Sequence, residues 1–216
     1  MINPYQEKLH QAIKGKTYVF IDAANLERSV QDMWVNPKDI PDEFRKYKVN
    51  QLYWRVNYKK FKSFFQNNCD LQNIRFYSAD FNTDNHFRFL WFLKKGLSFK
   101  LNTKPLKEYN DHTDVHPHRK ANFDVEIAVD TVHKLKEYKT FVLFSGDCDF
   151  EYLLKFLRGQ GKICIVFSRT GHVAKELPPA ANHYFDIVDF RNELLRVELK
   201  PAKNPAVRQD SAIDIR

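Results

Sequence analysis

Asp22 follows directly on the apolar run Tyr18-Val19-Phe20-Ile21, and Asp147 stands just beyond a second such run, Phe141-Val142-Leu143-Phe144. Asp149 comes two residues later at an expected helix start, and Asp124 opens an amphipathic stretch. Short runs of β-branched and aromatic residues read as buried strands. Ligands of an open parallel sheet bind beyond the carboxyl ends of its strands, so these segments are expected to aim carboxylates at one edge. Carboxylates packed together repel and raise one another's pKa, which calls for a cation. Hard oxygen donors without a Cys or His set point to Mg²⁺ or Mn²⁺. The competing role of each aspartate taken alone is an ordinary helix N-cap, a contribution of about 1 kcal/mol. The run Ser145-Gly146-Asp147-Cys148-Asp149-Phe150 argues for more, because its glycine gives a tight turn presenting two carboxylates from one loop. Cys148 reads there as a small filler.

The elements that must position these residues alternate along the chain. Strands are expected at 18–21, 74–78, 99–102, 141–144, 162–167 and 183–190, and helices near 58–66, 85–95, 125–135 and 150–157. The helix after Asp124 is read from Val125, Ala128, Val129, Val132 and Leu135, whose spacing predicts one buried face. Segment 31–57, with Pro37 and Pro41, reads as an irregular excursion, and Glu108–Arg119 as a polar loop. Alternating strands and helices imply right-handed crossovers, hence an α/β fold with a three-layer, Rossmann-like parallel sheet and helices on both faces. One domain over residues 1–198 and a flexible tail over 199–216 are expected.

The chain has 216 residues and a formal net charge of +8, so an acidic pocket would sit in a basic protein, a combination that suits metal plus phosphate. Its hydrophobic content of 43% excludes wholesale disorder. Three cysteines in no CxxC pair argue against a disulfide framework. With no apolar run of signal-peptide or membrane-spanning length, a cytoplasmic protein with no membrane contact is expected.

Three pieces, in order, resemble the NYN domain family, the LabA-like branch of the PIN-like nucleases: Phe20-Ile21-Asp22-Ala23-Ala24-Asn25, Phe123-Asp124-Val125-Glu126-Ile127-Ala128-Val129-Asp130, and Ser145-Gly146-Asp147-Cys148-Asp149-Phe150. The resemblance covers roughly residues 16 to 190. The chain departs from the family pattern in Phe123, where a small aliphatic residue is usual, and in a His-rich loop before it. Both departures leave the acidic positions intact. The resemblance implies a metal-dependent ribonuclease with Asp22, Asp124 and Asp147 as ligands and Asp149 a close fourth. Asn25 would orient Asp22 or contact the scissile phosphate, with Ser145 and Asp130 in supporting positions. The implied chemistry is hydrolysis of RNA by a metal-activated water, leaving a 5′-phosphate and a 3′-hydroxyl.

Arg119, Lys120 and Arg169 are placed to reach a phosphate backbone, with surface solvation the competing role. Lys94 and Lys95 suit a helix C-terminus instead. Trp34, Tyr53 and Trp54 could stack on unpaired bases, although aromatics are more often core. His112, His116 and His118 with Asp111 and Asp114 match no standard zinc spacing and read as a substrate flap. RNA is the expected partner, and a homodimer is an admissible assembly. A non-catalytic RNA-binding module is the main rival, set back by the intact acidic set. A phosphatase would need an Asp-x-Asp after the first strand, and a DNA flap nuclease would need more acidic ligands and a helical arch. No P-loop, GxGxxG or Ser-His-Asp order is present.

Overall fold

The computed structural model describes residues 3–109 and 118–201. In chain order the elements are α1 (Pro4–Ala12), β1 (Lys16–Asp22), α2 (Ala23–Gln31), β2 (Leu52–Val56), α3 (Tyr58–Asn68), β3 (Asp70–Asp80), α4 (Asp84–Trp91), β4 (Lys100–Pro105), β5 (Lys107–Tyr109) and β6 (His118–Lys120). They continue with α5 (Asp124–His133), β7 (Thr140–Phe144), α6 (Glu151–Gly159), β8 (Ile163–Ser168), α7 (Leu177–Ala180), β9 (His183–Asp186), α8 (Arg191–Leu194) and β10 (Leu195–Leu199).

Six strands form one sheet in the order β4-β3-β1-β7-β8-β9, every pair parallel. The chain leaves β1 toward β3 and β4, then returns to the other flank of β1 with β7. Strand order therefore reverses between β1 and β7, and the crevice at their carboxyl ends is where such a sheet binds ligands. Successive residues point to opposite faces. Val19, Ile21, Val142 and Phe144 face one buried layer with Leu26, Phe61 and Phe65 of α2 and α3. Tyr18, Phe20, Phe141 and Leu143 face the other, with Ile127 of α5 and Leu154 and Leu157 of α6. The expected α/β, three-layer architecture is therefore present.

Several local expectations are corrected. The N-terminal segment forms α1, started by Asn3, whose side chain accepts from the Tyr5 N–H, and by Pro4 at the first turn. Segment 31–57 is not irregular throughout, because Leu52–Val56 pairs antiparallel with β10. Arg55 and Glu198 reinforce that ribbon with a 3.1 Å ion pair. The loop expected at 108–119 begins and ends in strand, since β5 and β6 pair antiparallel. These strands, Lys-Glu-Tyr and His-Arg-Lys, carry no apolar alternation that could announce them. The expected strand 183–190 stops at Asp186, whose side chain accepts from the Val188 N–H and starts a 3₁₀ turn over Ile187–Phe190. Beyond β10 the Lys200 N–H still donates to the Gln51 carbonyl. Residues 202–216 of the expected tail lie outside the described residues.

The largest correction concerns α5. The valine stripe expected to be buried is exposed, Val125 at 73% and Val129 at 61%, while Ile127 and Thr131 are buried. Asp130 fixes that rotation. Its carboxylate receives hydrogen bonds from Arg75 (2.5 Å), Tyr77 (2.7 Å) and Asn102 (2.7 Å), so the helix turns its Asp130 side toward β3 and β4. Charge-assisted hydrogen bonds of this kind are about twice as strong as neutral ones, and they favour this rotation. Among the described residues no helix is long and apolar enough to cross a membrane.

Candidate active site

Ile21 of β1 stands in register with Phe144 of β7, so the next residue on each strand, Asp22 and Ser145, lie side by side at the reversal of strand order. Asp22 Oδ1 accepts the Asn25 N–H at 3.2 Å and caps α2. Its Oδ2 receives the Ser145 Oγ–H at 3.4 Å. Capping thus engages one oxygen, and the carboxylate can cap a helix and still face the crevice.

The Ser145-Gly146-Asp147 turn is stitched to the same corner. The Gly146 N–H donates to Asn25 Oδ1 at 2.8 Å, and the Asp147 N–H to Ser145 Oγ at 3.3 Å. Asn25 therefore holds Asp22 through its backbone and the glycine turn through its side chain. Asp147 Oδ1 accepts the Asp149 N–H at 3.2 Å, which sets the second carboxylate of the loop. Gly146 is required by close approach: a Cβ there would fall 2.3 Å from the His172 carbonyl oxygen and 2.6 Å from Ser168 Oγ. Gly146→Ala is expected to cost about 1–3 kcal/mol in urea unfolding. Unchanged stability would mean that segment 169–174 yields freely.

Asp124 is the first residue of α5, its N–H donating to Asn122 Oδ1 at 2.9 Å. Phe123 anchors this start, edge-on to Tyr77 at 6.1 Å and beneath the Lys104 ammonium at 4.6 Å. Lys104 also pairs with Glu126 at 2.7 Å. Asp130 grips the same helix lower down, so it holds α5, and with it Asp124, against the sheet. The spacing Asn122-Phe123-Asp124 is a local side-chain-to-backbone turn that could have been read from sequence.

The electrostatics follow from this packing. Burial, opposed by the Asn25 hydrogen bond and reinforced by the nearby Asp124 and Asp147 charges, pushes the Asp22 carboxyl up to about 6. Asp147, Cys148 and Asp149 have ligand atoms within 4.8 Å of one another. Asp22 and Asp124 are not part of that tight group, but the charges of Asp124 and Asp147 are near enough to couple to the Asp22 carboxyl. The exposed Cys148 thiol is pushed upward by partial desolvation and by the Asp147 and Asp149 charges, so it stays protonated and is a poor donor beside those two hard carboxylates. The donor set fits Mg²⁺ or Mn²⁺. Cys69 and Cys164 are pushed up to about 11 and 12, chiefly by burial.

Of the cations expected at the substrate, Arg169 follows β8 directly at the same sheet edge and contacts the His172 ring. Arg119 and Lys120 lie in β6, and their side chains lie outside the described residues. The same holds for His118, and the His-rich loop with Asp111, Asp114, His112 and His116 lies outside altogether. Lys94 and Lys95 are exposed in the π-helical turn Phe92–Gly96 that ends α4. Trp54 is 3% exposed and Tyr53 donates to Glu198, so both serve the β2–β10 ribbon and neither is placed to stack on a base. Trp34 remains 67% exposed.

A Rossmann-like sheet with carboxylates gathered where its strand order reverses defines an α/β domain of nuclease-like design. The sequence profile of the NYN domain matches residues 16–189, and the chain belongs to the NYN domain family. It is similar to the low amplitude and bright protein LabA of Synechococcus elongatus, with 36% identity over 103 residues, 47% of this chain. The match covers 55% of that relative, about half its length. A crystal structure of a protein of unknown function from Vibrio parahaemolyticus shares the fold, with a TM-score of 0.62 at 18% identity over 85% of this chain and 97% of the other.

Proposed function

We propose that this protein is a divalent-metal-dependent ribonuclease that hydrolyses phosphodiester bonds within RNA, with Asp22, Asp124, Asp147 and Asp149 as the metal-binding carboxylates. The observation that carries the reading is the pairing of Asp22 with Ser145 at the β1–β7 crevice, where Ser145 also accepts the Asp147 N–H and where burial, with the Asp124 and Asp147 charges, pushes the Asp22 carboxyl up to about 6. A fold that keeps such a set without a cation bears the repulsion for no structural gain.

Mg²⁺ or Mn²⁺, when bound, supplies a water of lowered pKa and neutralises charge on the leaving oxygen. The chain's own groups do the rest. Asn25 fixes the Asp22 carboxylate and the glycine turn in one geometry. Ser145 donates to Asp22 and accepts from the Asp147 N–H, so the two aspartates share one support. Arg169, at the same edge, is a cation placed to hold a phosphate of the bound strand, and Arg119 and Lys120 would add to it. Hydrolysis through such a site leaves a 5′-phosphate and a 3′-hydroxyl.

The test is cleavage of labelled single-stranded RNA, duplex RNA, tRNA and single-stranded DNA in Mn²⁺ or Mg²⁺, comparing wild type with Asp147→Asn. RNA cleavage that needs the metal and disappears in the variant is the expected result. RNA binding without cleavage in any metal, unchanged by the substitution, would transfer the reading to a non-catalytic RNA-binding module.

A further inference from the structure

Trp34 is an exposed aromatic that this function does not yet use. Its neighbours Met33 and Val35 are 8% and 2% exposed, so the backbone alternates in, out, in. The Trp54 indole N–H donates to the Trp34 carbonyl at 3.3 Å and fixes this segment further. The Trp34 ring is therefore held outward by a rigid support.

It forms one wall of an open cleft of about 430 Å³, with Asp32, Asn36, Asp39, Arg169 and Arg191 among the other walls. Arg191 is engaged by Asp39 at 2.8 Å and by the Val188 carbonyl at 3.0 Å. Two arginines against two aspartates make the cleft formally neutral, which is a poor fit for a phosphate. It suits an uncharged planar group with donors and acceptors on its edge, stacked on an indole.

Arg169 links this cleft to the acidic centre. It opens the segment 169–174, whose Ala174 N–H donates to the Gly146 carbonyl at 2.9 Å and whose His172 carbonyl abuts Gly146. The segment is pinned on its far side, where the Thr170 N–H and hydroxyl both donate to Asp186. One short, anchored segment thus borders both the neutral cleft and the turn that carries Asp147.

We propose that the Trp34–Arg169 cleft is a subsite for one unpaired nucleobase of single-stranded RNA, with the adjoining phosphate carried past Arg169 toward the acidic turn. The proposal rests on the ribonuclease reading above and deepens it by naming the substrate class. Stacking on an exposed aromatic needs a base free of its partner, so the cleft selects single strands over duplex.

The test uses the full chain without metal, so that binding is read apart from cleavage. Fluorescence anisotropy would follow a short uridine oligonucleotide and a duplex RNA of the same length against wild type, Trp34→Ala and Trp34→Phe. Base stacking of ordinary strength predicts a loss of roughly 10- to 100-fold in single-strand affinity for Trp34→Ala, with partial recovery in Trp34→Phe. Duplex affinity should change by less than about twofold in both variants, since the stacking contribution is absent there. Thermal unfolding should be unchanged, because the ring is exposed.

Single-strand affinity of Trp34→Ala equal to wild type would overturn the subsite, as would equal losses for duplex and single strand, or no binding of RNA by wild type. Cleavage by the same proteins in Mn²⁺ is scored separately. A protein that binds as described but cuts nothing sinks the ribonuclease reading alone. One that cuts RNA with Trp34→Ala binding unaltered sinks the subsite alone.

Discussion

Replacing Asp22 by asparagine is expected to abolish cleavage while making the metal-free protein more stable above about pH 6. The Asp22 carboxyl titrates at about 6 in the fold, against an ordinary value of 3.8. The fold thus favours its protonated form. The associated stability is fully present below about pH 4, is lost as pH rises through about 6, and leaves a constant deficit of about 3 kcal/mol at higher pH. Asparagine matches the shape: its amide oxygen can still accept the Asn25 N–H, and its NH₂, in the place of the second oxygen, can donate to the Ser145 hydroxyl oxygen. It carries no charge to repel Asp124 and Asp147. The variant should therefore gain up to about 3 kcal/mol in urea unfolding at about pH 8 and nothing at about pH 4. Activity moves the other way. Loss of partners one step removed from a metal lowers affinity or rate by about 10- to 100-fold, so loss of a direct ligand should cost on the order of a hundredfold or more. A variant no more stable at pH 8 than at pH 4, relative to wild type, would show that Asp22 is not under electrostatic stress.

The second large effect is the response of the wild type to its metal. Anything that binds the folded state alone stabilises it by mass action, about 2.7 kcal/mol at a hundredfold excess over Kd. For a chain of this size that corresponds to a rise of about 5–10 °C in Tm. Mn²⁺ or Mg²⁺ should produce this rise at about pH 8, and chelation should reverse it. The shift should shrink as pH falls through about 6, because a proton on Asp22 competes with the cation. It should be much reduced in Asp22→Asn. Calorimetry in the presence and absence of Mn²⁺ reads all three. A shift of the same size at about pH 4, or in Asp22→Asn, would mean that the ion binds elsewhere.

Both effects rest on the proposed site, whose Asp22 and Asp147 the sequence marks for a simple reason: they stand just beyond the most strongly apolar strands. Val19-Phe20-Ile21 and Phe141-Val142-Leu143-Phe144 are buried on both faces, so their runs are unbroken, and the acidic residues that end them mark the carboxyl edge. The rotation of α5 was not legible. Valine spacing gave one face, but three hydrogen bonds to Asp130 from residues 28 to 55 positions away in the chain decided for another. Strand β2 pairs with β10 some 140 residues later, and its short run Leu-Tyr-Trp-Arg-Val resembles an interrupted loop until that partner is known. Trp54 takes the core role that is the more common one for an aromatic, although burial by a distant partner leaves no mark on local composition. The dual role of Asn25 was only half visible. Its position three residues after Asp22 indicates the cap, whereas its bond to the Gly146 N–H spans 121 residues.

The exposed valines of α5 show how function and packing separate along one helix. Its first residue, Asp124, belongs to the acidic edge, its buried side holds Ile127 and Thr131, and its polar anchor is Asp130. A substitution at Asp130 should therefore act on the site by loosening α5, through stability before chemistry.

The most direct test of the central claim is the identity of the ends produced when wild type and Asp22→Asn are incubated with internally labelled single-stranded RNA and Mn²⁺. Fragments bearing a 5′-phosphate and a 3′-hydroxyl from wild type, dependent on the metal and missing from a folded Asp22→Asn, are the predicted result. Fragments ending in a 2′,3′-cyclic phosphate, cleavage unaffected by chelation, or undiminished cleavage by Asp22→Asn would contradict it.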